Sequence, residues 1–422
     1  MRLIERLSPA QRFAFEAIRT AAEQLGIAAY LVGGAVRDWL LGLPTIDDLD
    51  FVVEGDALAL AHRLREQHGG SVQTYPRFGT ATWHIEALAV DIAMARQETY
   101  PHPAALPLVA PSTLAVDLHR RDYTVNAMAL RLSDETIVDP LGGQRDLRAR
   151  VLRALHPRSF VDDPTRILRG ARYAARLGFK VEPSTRAWMA DGLPHLRALS
   201  GERMKYDLEL IFEEHRPEAA LALLIAWGVF RAVRIPVPAP EALPIRFERV
   251  RETLSDARWS PESLGVSPQT LRHALGWGAL TYQMGQLAVS RWVEWIPFTH
   301  VVRDALVALG ALGSLSAALF RSRPSEQSAL LSHFSPLALC LGYTFERDPA
   351  KRAAMLREHV EWRHTRPVCN GETLRALGLP PGPRYGVLLQ RLRAAWLDGE
   401  VRSAEEEHAL LQRLLAEPST SG

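Results

Sequence analysis

The side chains best suited to chemistry are two aspartates one residue apart, Asp48 and Asp50, in the run Asp47-Asp48-Leu49-Asp50-Phe51-Val52-Val53. In an extended strand a two-residue step places both carboxylates on one face and Leu49 and Phe51 on the other. Neighbouring carboxylates repel, and divalent cations between them relieve that repulsion. Upstream, Gly33-Gly34 separates an apolar strand, Ala28 to Val32, from a short helix, Ala35 to Leu41. Glycines let the backbone approach a ligand closely, and the free N–H groups and positive dipole end of the helix suit a phosphate. Arg37, on the first turn, would add a cation to the same phosphates. A phosphate cradle beside a two-carboxylate metal site is what nucleotidyl transfer needs. Each part has a plainer alternative. The glycines alone would make a tight turn, the aspartates a solvated strand edge or a cap, and Arg37 a surface ion pair with Asp38 or Asp47. Their order within one short stretch, strand–diglycine–helix–strand, favours the chemical reading.

Two further clusters follow. In His119-Arg120-Arg121-Asp122-Tyr123-Thr124-Val125-Asn126, arginines, an aspartate and an asparagine precede an apolar segment and could grip phosphate and sugar hydroxyls. The alternative is that Asp122 or Thr124 caps a helix. In Asp162-Asp163-Pro164-Thr165-Arg166-Ile167-Leu168-Arg169-Gly170-Ala171-Arg172, the arginines 166, 169 and 172 recur every third residue and form a gently winding basic stripe on a helix. Asp163 before Pro164 reads as an N-cap, a role compatible with an oxygen also facing a ligand.

The positioning elements are legible from periodicity. Residues 8–25 read as an amphipathic helix with Ser8 as N-cap and Pro9 at its first position. A helix is expected at 56–68 and strands near 71–75, 79–86 and 88–94, the last carrying Asp91. Residues 96–117 are rich in Pro and Ala without periodicity, and read as a long functional loop. Residues 123–139 return to the sheet and end in the turn Asp139-Pro140-Leu141-Gly142-Gly143. From about 150 strand signals vanish and helical periodicity takes over, which places a domain boundary there. The run Ile235-Pro236-Val237-Pro238-Ala239-Pro240 reads as a surface connection inside the helical half, and Gly371 to Pro383 as a break before a final pair of helices.

With 422 residues, 47% of them hydrophobic, the chain should form more than one domain. The formal net charge is +2, so a polyanionic partner must be held by a local basic face rather than a global field. Cys340 and Cys369 make neither a CxxC pair nor a zinc cluster, which suits a reducing cytoplasm. No apolar run reaches membrane-spanning length, so no membrane partner is expected. Nothing in the sequence sets an oligomeric state.

The ordered motifs GGAVRD, DLD, RRDYTVNAM, DPLGG and DDPTRILRGARYAARLGF closely resemble those of class II tRNA nucleotidyltransferases and bacterial poly(A) polymerases. The resemblance covers about residues 28–210, with Ser200-Gly201-Glu202-Arg203 similar to the last shared motif, and Leu374 to Arg393 resembling the family's tail. It implies an α+β fold: an N-terminal polymerase-β-like nucleotidyltransferase head, a mixed sheet with helices, over 1–150, then an all-helical neck over 151–210, body over 211–355 and tail over 356–422. Carried over by position, Asp48 and Asp50 bind two Mg²⁺ ions, with Asp91 a weaker third acidic candidate. Gly33, Gly34 and Arg37 hold the triphosphate, Arg121 contacts the nucleotide, and Asp163, Arg166, Arg169 and Arg172 surround base and phosphates. An aspartate replaces the family's usual glutamate at Asp162.

The reaction so implied is attack by an RNA 3′-hydroxyl on the α-phosphate of ATP or CTP, with pyrophosphate leaving. Cytosine and adenine both present an exocyclic amine beside a ring-nitrogen acceptor, which Asp163 and Arg166 would match as acceptor and donor. The partner is then the acceptor arm of tRNA, with Arg384, Arg391 and Arg393 as candidate tail contacts. Complete CCA addition is the expectation. Addition of the terminal A alone is the alternative, with poly(A) synthesis, a non-catalytic RNA-binding homologue and nucleotide transfer to an antibiotic or protein behind it.

Overall fold

A computed structural model of the chain describes residues 3–44 and 49–416, apart from the side chains of residues 286–288. Asp48 lies outside the described residues. The chain divides into two compact units, Met1–Arg234 and Ile235–Gly422, and the proline run begins at that division.

The first unit is built on a seven-stranded sheet. Its strands are β1 (Ala28–Val32), β2 (Asp50–Glu54), β3 (Ser71–Tyr75), β4 (Thr80–Ile85), β5 (Leu88–Met94), β8 (Ala129–Arg131) and β9 (Ile137–Val138), in the order β3-β4-β5-β2-β1-β8-β9. Only the β2–β5 pair is parallel, which makes the sheet mixed. Helix α1 (Pro9–Leu25) starts at a capping box in which Ser8 and Gln11 satisfy each other's backbone N–H. It covers one sheet face together with α3 (Ala57–His68), whose N-cap is Asp56. Phe51, Trp83, Val90 and Ile92 are buried on that face, and the Phe15 ring of α1 lies 6.3 Å from that of Phe51.

On the opposite face, α4 (Leu114–His119) buries Leu114 and Leu118 against Tyr30, Val32 and Val52. Helix α2 (Gly34–Leu40) leaves the end of β1. The segment read as a loop is instead a two-stranded hairpin, β6 (Arg96–Thr99) with β7 (Leu108–Pro111), followed by α4. Alternating polarity does not hold it. Glu98 accepts from Arg96, Tyr100 and Arg120, so polar contacts to its neighbours replace the missing apolar pattern.

Past residue 142 the unit is mainly helical: α5 (Gly143–Ala149), α6 (Ser159–Asp162), α7 (Thr165–Leu177), α8 (Pro183–Gly192), α9 (Gly201–Phe212), α10 (Pro217–Trp227) and α11 (Val229–Ala232). Strand structure does not vanish entirely at 150. Val151–Leu152 (β10) and Lys180–Val181 (β11) pair in parallel, two residues each and too short to register as a pattern. The second unit is helical throughout its described residues, from Leu243–Ser255 to Ala404–Ala416. A short helix, Gly371–Ala376, fills part of the Gly/Pro break. Both cysteines are buried thiols. No described helix is long and apolar enough to cross a membrane.

Candidate active site

The β1–α2 turn depends on Gly33, which adopts φ 70°, ψ −127°, a left-handed conformation costly for any residue with a Cβ. A Cβ there would also lie 3.2 Å from Arg121 Nη1 and 4.0 Å from Asp50 Oδ2. The missing side chain therefore brings a guanidinium and a carboxylate together over the turn. Asp50 opens β2 and is exposed, and its register partner across the parallel ladder is Asp91 of β5. Adjacent strands sit about 5 Å apart, so the two carboxylates are neighbours on one sheet face. These are hard oxygen donors of the kind Mg²⁺ prefers. Asp91 Oδ1 also accepts from Thr82 Oγ1 at 2.6 Å. Among the described residues no group of three His, Cys, Asp or Glu side chains gathers to hold a metal.

Arg37 is not a surface arginine, being only 3% exposed. It pairs with Asp38 through Nε at 2.7 Å and Nη2 at 2.9 Å, donates to Asn126 Oδ1 at 2.6 Å, and lies 5.3 Å from the Tyr173 ring centroid. Asn126 in turn donates to Asp122 Oδ1 at 3.0 Å, and Asp122 Oδ2 faces Arg169 Nη2 at 2.7 Å. One polar chain, buried from Arg37 to Asp122 and half-exposed at Arg169, thus ties the diglycine helix to α7. Burial alone would raise the Asp122 carboxyl, but Arg169, Asn126 and Arg166 outweigh it and hold it below the usual carboxylate range. Arg169 is pushed well above the usual guanidinium value, Asp122 being the chief cause. Burial likewise opposes ionisation of Asp117, yet Arg121 and Arg120 keep its pKa low.

The described residues of the site converge on a cavity of ≈ 490 Å³. It is lined by Gly33, Gly34, Arg37, Asp50, Arg121, Asp163, Arg166, Arg169 and Arg172, together with residues the sequence reading did not single out: Asp38, Arg96, Glu98, Tyr100, Tyr173 and Arg176. Eight arginines face five carboxylates in this lining, an electropositive bowl suited to a triphosphate. Arg176 continues the α7 stripe four residues beyond Arg172, the spacing that could have revealed it. Asp163 does cap the start of α7. Its Oδ1 accepts from Thr165 N at 3.1 Å, Thr165 Oγ1 at 2.7 Å and Arg203 Nη2 at 2.6 Å, and the residue lines the cavity. Arg166 is buried, and its Nη groups serve the protein itself: Nη1 donates to Ser159 Oγ at 2.8 Å and Nη2 to the Arg120 carbonyl at 2.6 Å. Arg172 has one distant ion pair, 3.9 Å to Glu214, lies 5.2 Å from the Tyr173 ring centroid, and lines the cavity.

Residues 29–153 match the profile of the poly A polymerase head domain, and residues 178–236 that of the probable RNA and SrmB-binding site of polymerase A. A CC-adding tRNA nucleotidyltransferase of Deinococcus radiodurans is 32% identical over 398 residues, covering 91% of this chain and 89% of its own length. The chain belongs to the tRNA nucleotidyltransferase family. An A-adding tRNA nucleotidyltransferase of Aquifex aeolicus is 47% identical over 195 residues, 45% of this chain and 24% of that protein. The solved Thermotoga maritima CCA-adding enzyme complexed with tRNA superposes with a TM-score of 0.75 at 26% identity, over 98% of this chain and 97% of that one. The chain spans only about a quarter to a half of the length of the A-adding relatives it matches.

Membership of the tRNA nucleotidyltransferase family fits the helix-rich remainder of the chain, but the tail arginines differ in availability. Arg384 is exposed. Arg391 pairs with Glu400 at 2.7 Å. Arg393 does not fit the RNA contact expected of it: it donates to Ser328 Oγ, the Trp362 carbonyl and the Thr365 carbonyl, a structural brace within the second unit.

Proposed function

We propose that this chain adds CCA to the 3′ end of tRNA from CTP and ATP, without a nucleic-acid template. The observation that carries the reading is the arginine-lined cavity in which the Gly33–Gly34 turn, Asp50 and Asp163 meet. The amide groups at the start of α2, with Arg37 and Arg121, hold the triphosphate. Arg169 and Arg172 add charge along it, and the fixed donors stabilise the negative charge that develops on the leaving pyrophosphate. The 3′-oxygen of the RNA bonds to the α-phosphorus, the α–β bridging P–O bond breaks, and the hydroxyl proton passes to solvent. No covalent nucleophile is required, because positioning and charge stabilisation lower the barrier. Asp48 and Asp50 would hold Mg²⁺, whose chemistry when bound is to acidify the attacking hydroxyl and neutralise the leaving oxygens.

Asp163 Oδ2 reads the base by accepting from the exocyclic amine shared by cytosine and adenine. Arg166, expected as the donor side of the pair, instead positions the wall beside Asp163 through a guanidinium anchored to Ser159 and Arg120. Residues 1–150 serve as the catalytic head, 151–210 as a neck, 211–355 as a body and 356–422 as an RNA-binding tail reading the acceptor arm by backbone and shape.

A second reading, addition of the terminal A alone, is favoured by the 47% identity to an A-adding relative. Both readings accommodate the β6–β7 hairpin. Incubation with Mg²⁺ and tRNA ending before CCA, or ending in CC, with CTP and ATP offered separately, separates them. Extension of both substrates supports complete CCA addition. Extension of the CC end by ATP alone supports the A-adding reading, and no extension of either overturns both.

A further inference from the structure

A second cavity, of ≈ 390 Å³, lies on the sheet beside the first and shares Asp50, Arg96, Arg120 and Arg121 with it. Its remaining floor is the outer part of the sheet face that carries the acidic pair. The register runs Asp50, Asp91, Thr82 across β2, β5 and β4, and in the next row of that face Val52, Ala93, Thr80 and Tyr75. Helix α4 covers this face only around β1, β2 and β8, so the far rows stay open. Tyr75, at the end of β3, is 43% exposed and lines the cavity.

We propose that this open strip seats the terminal nucleotides of the RNA acceptor, with Tyr75 as the platform on which a base stacks. The inference rests on the transferase reading above and adds where the second substrate sits. In an in-line displacement the attacking and leaving oxygens lie on opposite sides of the phosphorus. With the triphosphate held at Gly33, Gly34 and Arg37, the attacking strand must approach from across Asp50, where the second cavity opens. The strip also has the right chemistry for an unpaired RNA end. The shared arginines face the backbone phosphates, the Thr80 hydroxyl can meet ribose or phosphate oxygens, and an aromatic ring accepts any base because every base has a π-face. Among the described residues the lining offers no carboxylate besides Asp50 and Asp91, which suits a terminus whose sequence changes with each addition.

The test is steady-state kinetics of wild type, Tyr75→Ala and Tyr75→Phe on tRNA lacking its 3′ end, with nucleotide and tRNA varied in turn. Tyr75→Ala should raise KM for tRNA about tenfold, from the loss of one stacking contact, while KM for the nucleotide and kcat stay within about twofold. Tyr75→Phe should restore the wild-type KM, since the ring and not the hydroxyl does the stacking. An unchanged KM for tRNA in Tyr75→Ala overturns the proposal, as does an equal rise in both KM values. Wild-type protein that incorporates nothing overturns the transferase reading itself and the acceptor seat with it.

Discussion

Arg203 Nη2 donates to Asp163 Oδ1 at 2.6 Å, while its Nη1 donates to the Ala104 carbonyl at 2.8 Å. One guanidinium on α9 therefore ties the carboxylate at the start of α7 to the connection between β6 and β7. On the proposed role of Asp163 in base selection, Arg203→Ala should loosen that selection without touching the nucleotide. A charge-assisted hydrogen bond contributes about 1.5–3 kcal/mol, so discrimination against UTP and GTP should fall roughly tenfold to a hundredfold. Arg203→Lys should rescue little, because an ammonium cannot span both acceptors in the fixed geometry of the fork. Competition incorporation assays with the four nucleotides measure this directly.

Gly33→Ala should abolish most nucleotide incorporation while leaving a folded protein. The substitution forces a Cβ into a left-handed backbone and against Arg121 Nη1. Strain of this kind costs about 1–3 kcal/mol. Circular dichroism and thermal melts should show a modestly lowered Tm, against a loss of activity much larger than that destabilisation explains.

Gly170→Ala should act on stability first. A Cβ at this position on α7 would collide with the Tyr123 hydroxyl, which donates to the Arg166 carbonyl at 2.6 Å, and would meet the Met189 side chain at 3.0 Å. Overpacking in a filled core costs about 1–3 kcal/mol. Denaturant midpoints should fall accordingly, and a Gly170→Ala/Tyr123→Phe double variant should recover part of the loss.

Asp207 predicts a pH dependence of stability. Burial raises its pKa to about 7 in the folded protein, Asp163 adding to the rise and Arg169, Arg172 and Arg203 opposing it. The folded state therefore holds the proton more tightly than the unfolded chain. Stability linked to this group is full below the ordinary carboxylate pKa near 4 and is lost as pH climbs towards 7, with a limiting slope of about 1.4 kcal/mol per pH unit. Unfolding free energies of wild type and Asp207→Asn, measured from pH 4 to 8, should diverge over that window, the variant lacking the decline.

Local signals made most of the framework legible. The Ser8–Pro9 start, the strand before Gly33 and the helix after Asp56 are written in caps and periodicity, and they stand where expected. The hairpin at 96–111 was not legible, because Glu98 holds it through Arg120, far along the chain. Nor could the stripe on α7 say which arginines the protein occupies itself. Arg166 has its Nη groups on Ser159 and a carbonyl, whereas Arg172 and Arg176 retain capacity for a ligand. Asp91 is a candidate from the resemblance, and strand register places it beside Asp50. The RRDYTVN segment is also more structural than its types imply, with Asp122 and Asn126 buried as links between Arg37 and Arg169.

The most direct test is single-turnover incorporation of labelled AMP into tRNA ending in CC, in Mg²⁺, by wild type and by Asp50→Asn. The substitution keeps the side chain's size but removes a charge from the proposed metal-binding face. Wild type should extend the RNA by one residue, and the variant should be slower by at least about a hundredfold with nucleotide binding retained. Equal rates for the two proteins would contradict nucleotidyl transfer at this site.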